Sequence, residues 1–323
     1  MADLLSTLKF VQGAVARKNL VPEMTHFLIE NGRIVAFNGR MALSSPIDCN
    51  IDCNPKATTL LKAIAGAEGT VTLTMTPAGR LRVASDSIRV LVECIERTLE
   101  PVLPEGTIVP LEPAQAETLV KAMAVVIDFI GDDAARVWTN GALFTSQSLY
   151  ATCNVIIVQK WLGFDIVAHP INVPYEALNE VLRVKEIPNA IQYNANSITF
   201  HFESGRWIRS QLLPAEWPDL NPILERPCNA SPLDESVFKS VEKVKPFLDK
   251  VGKIIFSAGE VRTHDDREEG AHAEVNLDVD GIYAYDMFMR LRGVASHADL
   301  TTWPNPCMFY GDALRGAIIG RKL

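Results

Sequence analysis

Cysteines are few in this sequence, and most of them are scattered. Six occur among 323 residues, and only Cys49 and Cys53 lie close together, with no second pair at the spacing of a zinc site. This pattern predicts free thiols in a reducing compartment and excludes a disulfide framework. The sequence also lacks any run of about 18 uncharged apolar residues, so it predicts no membrane-spanning helix.

Targeting and enzyme signatures are missing as well. Residues 1–4 read Met-Ala-Asp-Leu, without the basic region and apolar core of a secretory signal, so we expect the chain to stay in the cytoplasm. No phosphate-binding P-loop, HExxH zinc motif or nucleophile elbow occurs. The sequence therefore gives no signature of those three enzyme classes.

What is present is an ordinary globular composition with an acidic total. Apolar residues make up 48% and charged residues 22%, and the formal net charge is −8. A length of 323 residues is too great for one comfortable core, so two or three domains are expected. The acidic total argues against a simple nucleic-acid binder, because such proteins usually carry a basic domain.

One order of predicted elements occurs three times along the chain. Each time, a long helix with an apolar stripe is followed by strands, a short helix and further strands. The long helices are predicted to start near residues 3, 113 and 234, and the short helices near residues 55, 174 and 285. Repetition at this spacing predicts an α+β fold of three related domains, each with two helices packed on antiparallel sheets.

Proline-rich stretches mark the predicted boundaries between these domains. They lie at residues 100–104 and 218–232. The predicted domains are 1–108, 109–228 and 229–323, and the third is shortened.

The first long helix shows how such helices are recognised. It is predicted over Asp3–Lys18, because Leu4, Leu8 and Val11 recur at helical spacing. The apolar stripe predicts one buried face, so the basic residues elsewhere on the helix are expected to be exposed.

Charge is distributed unevenly between helices and the rest of the chain. The six predicted helical segments together carry +5, so the remainder carries −13. If the helices share one face, that face attracts a polyanion while the outside repels it. Lysines also favour exposed helix surfaces in general. From composition alone, the basic residues of these helices could therefore simply face solvent without binding a polyanion.

Six segments resemble a known family when they are taken in chain order. They resemble the bacterial-type DNA sliding clamp, the β subunit of the replicative DNA polymerase. No single segment is diagnostic, and the resemblance lies in their order over almost the whole chain. The segments are Leu4–Asn19, Asn31–Ile34, Pro55–Ile64, Asn140–Phe144, Val173–Pro174 and Trp217–Leu220.

Two departures from the family suggest a divergent member. The family's ATDGHRLA segment reads Ala151–Val158 here and lacks the aspartate, histidine and arginine. The end of the chain, Ile318–Leu323, only approximates the family's Met-Pro-Met-Arg-Leu. We therefore expect an apolar partner cleft with a different peptide preference, in a protein that would suit a phage.

The resemblance implies a function as well as a fold. Two chains of three clamp-type domains would form a head-to-tail homodimeric ring around double-stranded DNA, with helices lining the hole. Such a ring is a processivity factor that binds DNA without sequence specificity, tethers a DNA polymerase, and is opened by a clamp-loader ATPase. It is not an enzyme and needs no cofactor, metal or membrane. Its location would be the bacterial cytoplasm, or the infected host cytoplasm for a phage protein.

Matching positions give two sets of candidate residues. The DNA-binding set is Lys9, Arg17, Lys18, Lys56, Lys62, Lys121, Lys239, Lys243, Arg290 and Arg292. The set for a partner-peptide cleft is Thr152, Asn154, Val155, Ile156, Pro218, Ile223, Ile318 and Ile319.

Two other functions remain open from the sequence. His264, Asp265, Asp266 and His272 could hold a divalent metal in an enzyme, since histidines and carboxylates are common metal ligands. Such a charged run around Gly270 is more typical of a solvated hairpin loop. The other alternative is a ring-shaped protein scaffold that does not encircle DNA.

Overall fold

The computed structural model describes residues 4–18, 21–96, 100 and 102–322. These residues form two compact units. One unit contains the described residues up to Glu117 together with 176–212, and the other contains 118–175 and the residues from Leu213 onward. None of the described helices is long and apolar enough to cross a membrane. Asp3, Asn19 and Pro101, which belong to predicted features, lie outside the described residues.

Helices and strands alternate along the chain, which confirms the α+β prediction. The α-helices are α1 (Leu4–Val11), α2 (Ala57–Ala65), α3 (Pro113–Val126), α4 (Tyr175–Val184), α5 (Asn221–Leu224), α6 (Glu235–Val244) and α7 (Tyr285–Met289). Short 3₁₀ turns lie at Gln12–Ala14, Pro22–Thr25, Ile127–Phe129, Val137–Asn140 and Lys245–Phe247.

The strands are short and all their pairings are antiparallel. In chain order they are β1 (Leu28–Glu30), β2 (Arg33–Phe37), β3 (Met41–Pro46), β4 (Thr72–Met75), β5 (Leu81–Ala84), β6 (Arg89–Val92), β7 (Thr107–Pro110), β8 (Gly141–Phe144), β9 (Ser148–Thr152), β10 (Ile156–Trp161), β11 (Ile171–Pro174), β12 (Pro188–Tyr193), β13 (Ser197–Phe202), β14 (Trp207–Gln211), β15 (Ser231–Pro232), β16 (Lys253–Ser257), β17 (Glu260–Arg262), β18 (His272–Glu274), β19 (Gly281–Ala284), β20 (His297–Ala298), β21 (Cys307–Gly311) and β22 (Leu314–Ile318).

The predicted threefold repeat is present in the element order. Each copy has a helix, three strands (four in the second and third copies), a second helix and three more strands. In each copy the segment before the second helix pairs with the first strand of the copy. Cys53 bridges to Ile29 in β1, β11 pairs with β8, and β19 pairs with β16. The third copy keeps this order with shorter elements, since α7 has five residues and β20 has two.

Successive copies share their sheets. In the first unit, β3 of the first copy pairs with β14 of the second, within a sheet ordered β1-β2-β3-β14-β13-β12-β7. In the other unit, β10 of the second copy pairs with β22 of the third, within a sheet ordered β11-β8-β9-β10-β22-β21-β20-β15. The predicted middle domain, 109–228, thus contributes to both compact units, and the predicted boundaries stay a prediction.

The first helix is shorter than predicted. It ends at Val11 and continues only as the 3₁₀ turn, so Arg17 and Lys18 lie in the loop beyond it. Leu8 and Val11 are fully buried, as the apolar stripe predicted. Phe10 is also buried and meets Phe202 edge to face at 6.4 Å between ring centroids.

An ion pair between a buried carboxylate and an exposed arginine lies against the end of this helix. Glu180, on α4, is only 5% exposed. Arg183 donates from Nε to Glu180 Oε2 at 2.8 Å and from Nη2 to the Phe10 carbonyl at 3.0 Å. A Cβ on Gly13 would overlap the Glu180 carboxylate, so only glycine fits where the chain passes this pair.

Replacing Gly13 by alanine is therefore expected to lower the free energy of unfolding by about 1–3 kcal/mol, since the added methyl group displaces a buried, hydrogen-bonded carboxylate. Urea unfolding followed by circular dichroism would measure the loss. Gly66→Ala is the matched control, because its new Cβ would meet nothing closer than the Lys62 carbonyl at 3.5 Å. Equal midpoints for the two variants would contradict the packing argument.

Candidate nucleic-acid interface and partner-binding face

The predicted basic residues of the first unit are mostly exposed. Lys9 on α1 and Lys62 on α2 project into solvent from two helices that pack against each other. Arg17 and Lys18 are exposed in the loop after the 3₁₀ turn. Lys56 is half-buried, and its Nζ donates to Thr25 Oγ1 at 2.8 Å.

In the second unit, the predicted lysines and the predicted arginines differ in their surroundings. Lys239 and Lys243 are exposed one turn apart on α6, and Lys121 is exposed on α3. Arg290 Nη1 donates to the Asp128 carbonyl at 2.7 Å. Lys239 and Lys243 are therefore better placed than the arginine to contact a polyanion.

Arg292 is held by two carboxylates of α6. Its Nη1 donates to Glu242 Oε1 at 2.7 Å, and its Nε donates to Glu235 Oε1 at 3.0 Å. The hydrogen bond from Arg292 lowers the pKa of the Glu235 carboxyl. Because two anions already share this guanidinium, Arg292 is the weakest candidate of the ten for a phosphate contact.

The candidate partner-binding residues lie around the junction of β10 and β22. Opposite residues of antiparallel strands share a face. One row across β9, β10, β22 and β21 is Thr152, Ile157, Ala317 and Met308. On the same face, Val155 accepts a hydrogen bond from the Ile319 backbone, and Ile319 is 42% exposed.

An apolar cluster occupies this face. Ile157, Leu224, Met308 and Ala317 form its buried centre. Its partly buried rim contains the predicted Ile223 together with Tyr150, Leu220, Cys228 and Tyr310. We call this surface, with Val155 and Ile319, the apolar face. Thr152 lies at its margin, while Asn154, at positive φ, forms the turn beside it and Pro218 is exposed in the chain leading to α5.

Two of the predicted residues lie on the opposite side of the sheet from the apolar face. Ile156 and Ile318 are cross-strand partners with exposures of 1% and 0%. Because successive residues of a strand point to opposite faces, they are buried behind the apolar face. Ile157 and Ala317, one position along each strand, belong instead to the buried centre of the apolar cluster and were not among the predicted residues. Alternation along β10 indicates two faces, but each face carries isoleucine or valine. The sequence therefore did not show which face bears the apolar cluster.

The charged run 264–272 does not form a metal site. Across the described ranges, no group of three or more histidine, cysteine, aspartate or glutamate side chains is placed to hold a metal ion. Asp265 pairs with Lys253 Nζ at 2.7 Å, and His264 Nε2 lies 3.3 Å from Glu269. These exposed side chains satisfy one another in a hairpin loop, so the metal-dependent enzyme is not favoured.

Strand β6 has a free edge among the described strands, because β5 is its only neighbour in the sheet β4-β5-β6. Alternate residues of an antiparallel strand direct their backbone groups to each side. The hydrogen bond from Ser85 N to Ile88 O, 2.9 Å long, shows which residues of β6 direct their backbone groups toward β5. The backbone groups of Arg89 and Leu91 therefore point away from β5, and both side chains are exposed.

Strand β18 has a matching free edge, since β17 is its only neighbour among the described strands of the sheet β18-β17-β16-β19. Thr263 N donates to Ala271 O at 3.0 Å, which fixes the alternation here. The backbone groups of His272 and Glu274 consequently point away from β17.

Comparison with known proteins shows the fold. Neither protein-family models nor curated proteins give a match to the sequence. Solved structures do match over 99–100% of this chain and 97–98% of their own. They include the DNA polymerase III subunit beta of Pseudomonas aeruginosa (15% identity, TM-score 0.84), the DNA polymerase sliding clamp of Caulobacter crescentus (17%, 0.83) and the polymerase beta subunit of Streptococcus pyogenes (12%, 0.81). The chain therefore has the sliding-clamp fold.

Proposed function

We propose that this chain is a DNA sliding clamp, a divergent member that forms a ring around duplex DNA and tethers a DNA polymerase. The observation that carries the proposal is the likeness in fold over the full length of both chains, with TM-scores up to 0.84. A clamp acts by topology, since a closed ring cannot leave duplex DNA sideways. In this role the chain would catalyse no covalent reaction.

The way the copies share sheets supports ring closure. The third strand of the first copy pairs with the last strand of the second, and the third strand of the second copy pairs with the last of the third. By the same rule, two equivalent strands remain without a partner of this kind among the described residues. They are β18, the third strand of the third copy, and β6, the last strand of the first copy. Both have free edges, and exposed edges are pairing sites. We therefore assign β18 of one chain as the partner of β6 of another.

The outward backbone groups favour one register. An antiparallel pairing that uses all of them sets Arg89 opposite Glu274 of the partner subunit and Leu91 opposite His272 of the partner subunit. Opposite residues share a face, so the guanidinium would meet the carboxylate. Two such interfaces, repeated head to tail, close a dimer.

DNA contacts of a sliding ring must be weak and directed at phosphates. The exposed lysines of the helices suit that role, together with the loop cations Arg17 and Lys18. We therefore place the DNA-facing surface on the helices and the loop that follows α1.

The apolar face is the best site for a polymerase or loader peptide. Exposed apolar surface next to a buried cluster is typical of peptide-anchoring sites. Ile319 and Ile223 would contact such a peptide, and Ile157 with Leu224 would form the floor.

Retention on circular DNA tests the proposed function. Light scattering should first give about twice the chain mass of 35.6 kDa. Chains diluted to dissociate the ring, then concentrated on nicked plasmid, should stay bound through a wash in 0.5 M salt and be lost when the plasmid is linearised. A scaffold that does not encircle DNA would be lost from both forms.

Reversing the charge of Arg17 and Lys18 together is expected to weaken binding to a short duplex without unfolding the chain. Each lost phosphate contact should also lower the slope of log K against log salt by about 0.9. Fluorescence anisotropy on a 30-base-pair duplex measures both effects. The variant Arg40→Glu with Arg226→Glu is the control, because it makes the same charge change at exposed loop positions. Equal losses in both variants would remove Arg17 and Lys18 from the interface.

A further inference from the structure

One cation stands in the middle of the otherwise apolar partner-binding surface. The row next to Ile157 and Ala317 is Tyr150, Gln159 and Arg315, one residue on each of β9, β10 and β22. Arg315 therefore lies on the apolar face, two residues along β22 from Ala317. That step corresponds to about 7 Å along a strand.

The guanidinium of Arg315 is fixed in place. Its Nε donates to Gln159 Oε1 at 2.7 Å and its Nη1 to the Leu224 carbonyl at 3.3 Å. It also lies over the ring of Trp161, 5.1 Å from the centroid, and this tryptophan is 41% exposed. The second terminal nitrogen, Nη2, takes part in neither hydrogen bond.

The charge of Arg315 is uncompensated within the part of the chain that is described. No carboxylate there lies within the 4.0 Å of an ion pair, and the contacts of the guanidinium are to an amide, a carbonyl and an aromatic ring. A half-buried, immobilised guanidinium is a good receptor for a carboxylate, because the charge-assisted bond forms without ordering the side chain. The chain's net charge of −8 would otherwise repel an acidic peptide.

We infer that Arg315 determines specificity on the apolar face by binding a carboxylate of the partner peptide, an aspartate, a glutamate or the chain terminus. This inference rests on the proposed peptide binding. An extended peptide advances about 3.3 Å per residue, so the carboxylate stands about two residues from the apolar anchor that contacts Ile319 and Ile157. The exposed edge of Trp161 supplies a further apolar contact beyond the carboxylate.

Fluorescence polarisation with synthetic peptides tests the inference on the full-length dimer. The probes are labelled octapeptides with a Leu-Phe pair and aspartate, asparagine or lysine two residues before or after the pair. An aspartate peptide in one arrangement should bind about tenfold more tightly than its asparagine counterpart, and the lysine peptide more weakly still. Arg315→Gln should reduce the ratio to about one, whereas Arg226→Gln, at an exposed arginine after α5, should leave it unchanged.

The controls separate the two levels of the proposal. Ile319→Asp should abolish binding of every octapeptide. If no octapeptide binds, or if binding survives Ile319→Asp, the peptide site itself is wrong. If binding requires Ile319 but aspartate, asparagine and lysine peptides bind equally, only the role of Arg315 is wrong. Arg315→Lys keeps the charge without the planar fork, and an intermediate ratio there excludes a purely structural effect of the substitution.

Discussion

Replacing Leu91 by proline is expected to convert the proposed dimer into monomers that remain folded. The Leu91 backbone N–H points away from β5, so proline there removes no hydrogen bond within the chain. Proline is tolerated on edge strands but cannot donate to a new neighbour. The substitution therefore weakens only the proposed pairing with β18 of the partner subunit. A head-to-tail dimer contains two such interfaces, so both are weakened.

Light scattering measures the result as a mass near 35.6 kDa rather than about twice that value. Retention on circular DNA should disappear with the dimer, while circular dichroism stays unchanged. Met75→Pro is the matched control, because Met75 lies on the opposite edge of the same three-stranded sheet and its N–H also points outward. A Leu91→Pro protein that stays dimeric would exclude β6 from the interface.

Exchanging the charges of Arg89 and Glu274 tests the proposed register. Arg89→Glu alone and Glu274→Arg alone should each weaken the dimer, because like charges then face each other across the paired strands. The double variant should regain dimer affinity, with an interaction energy between the two positions of about 0.5–3 kcal/mol at each interface. Sedimentation velocity over a concentration series gives the three dissociation constants.

A second exchange controls for total charge. Arg89→Glu combined with Glu268→Arg makes the same net change, but Glu268 is exposed on the hairpin loop and not opposite Arg89 in the proposed register. It should recover little of the lost affinity. Equal recovery in both double variants would indicate long-range attraction between a basic and an acidic region, without the proposed pairing.

Much of the architecture could be predicted because it depends on patterns of apolar residues within short segments of the sequence. The apolar stripe at Leu8 and Val11 predicted α1, and the repeated helix spacing predicted three copies. The sharing of sheets could not be predicted, since β3 and β14 meet across more than half of the chain and carry no local signal for each other. The edges of β6 and β18 stand out among the edge strands only when the order in which the copies share sheets is known.

The site was predicted less completely, for a related reason. A one-residue shift in assigning a strand face exchanges all of its side chains, so the sequence pattern led to Ile156 whereas the structure places Ile157 in the apolar cluster. Arg292 was chosen for its charge, while its two carboxylate partners, Glu235 and Glu242, lie on another helix. Arg315 was not noticed because its significance depends on Gln159 and Trp161, far away in the sequence.

The sharing of sheets between copies also determines how long some strand edges wait for a neighbour during synthesis on the ribosome. Strand β3 ends at Pro46, but its neighbour β14 begins only at Trp207, about 160 residues later. At about 5–20 residues per second, the nascent chain carries β3 with only one edge paired, to β2, for roughly 10–30 s. The edge of β10 waits almost as long, because β10 ends at Trp161 and its neighbour β22 begins only at Leu314. A nascent chain of this protein should therefore depend on chaperones until β22 has emerged, and termination before β22 should yield aggregates instead of a shorter folded protein.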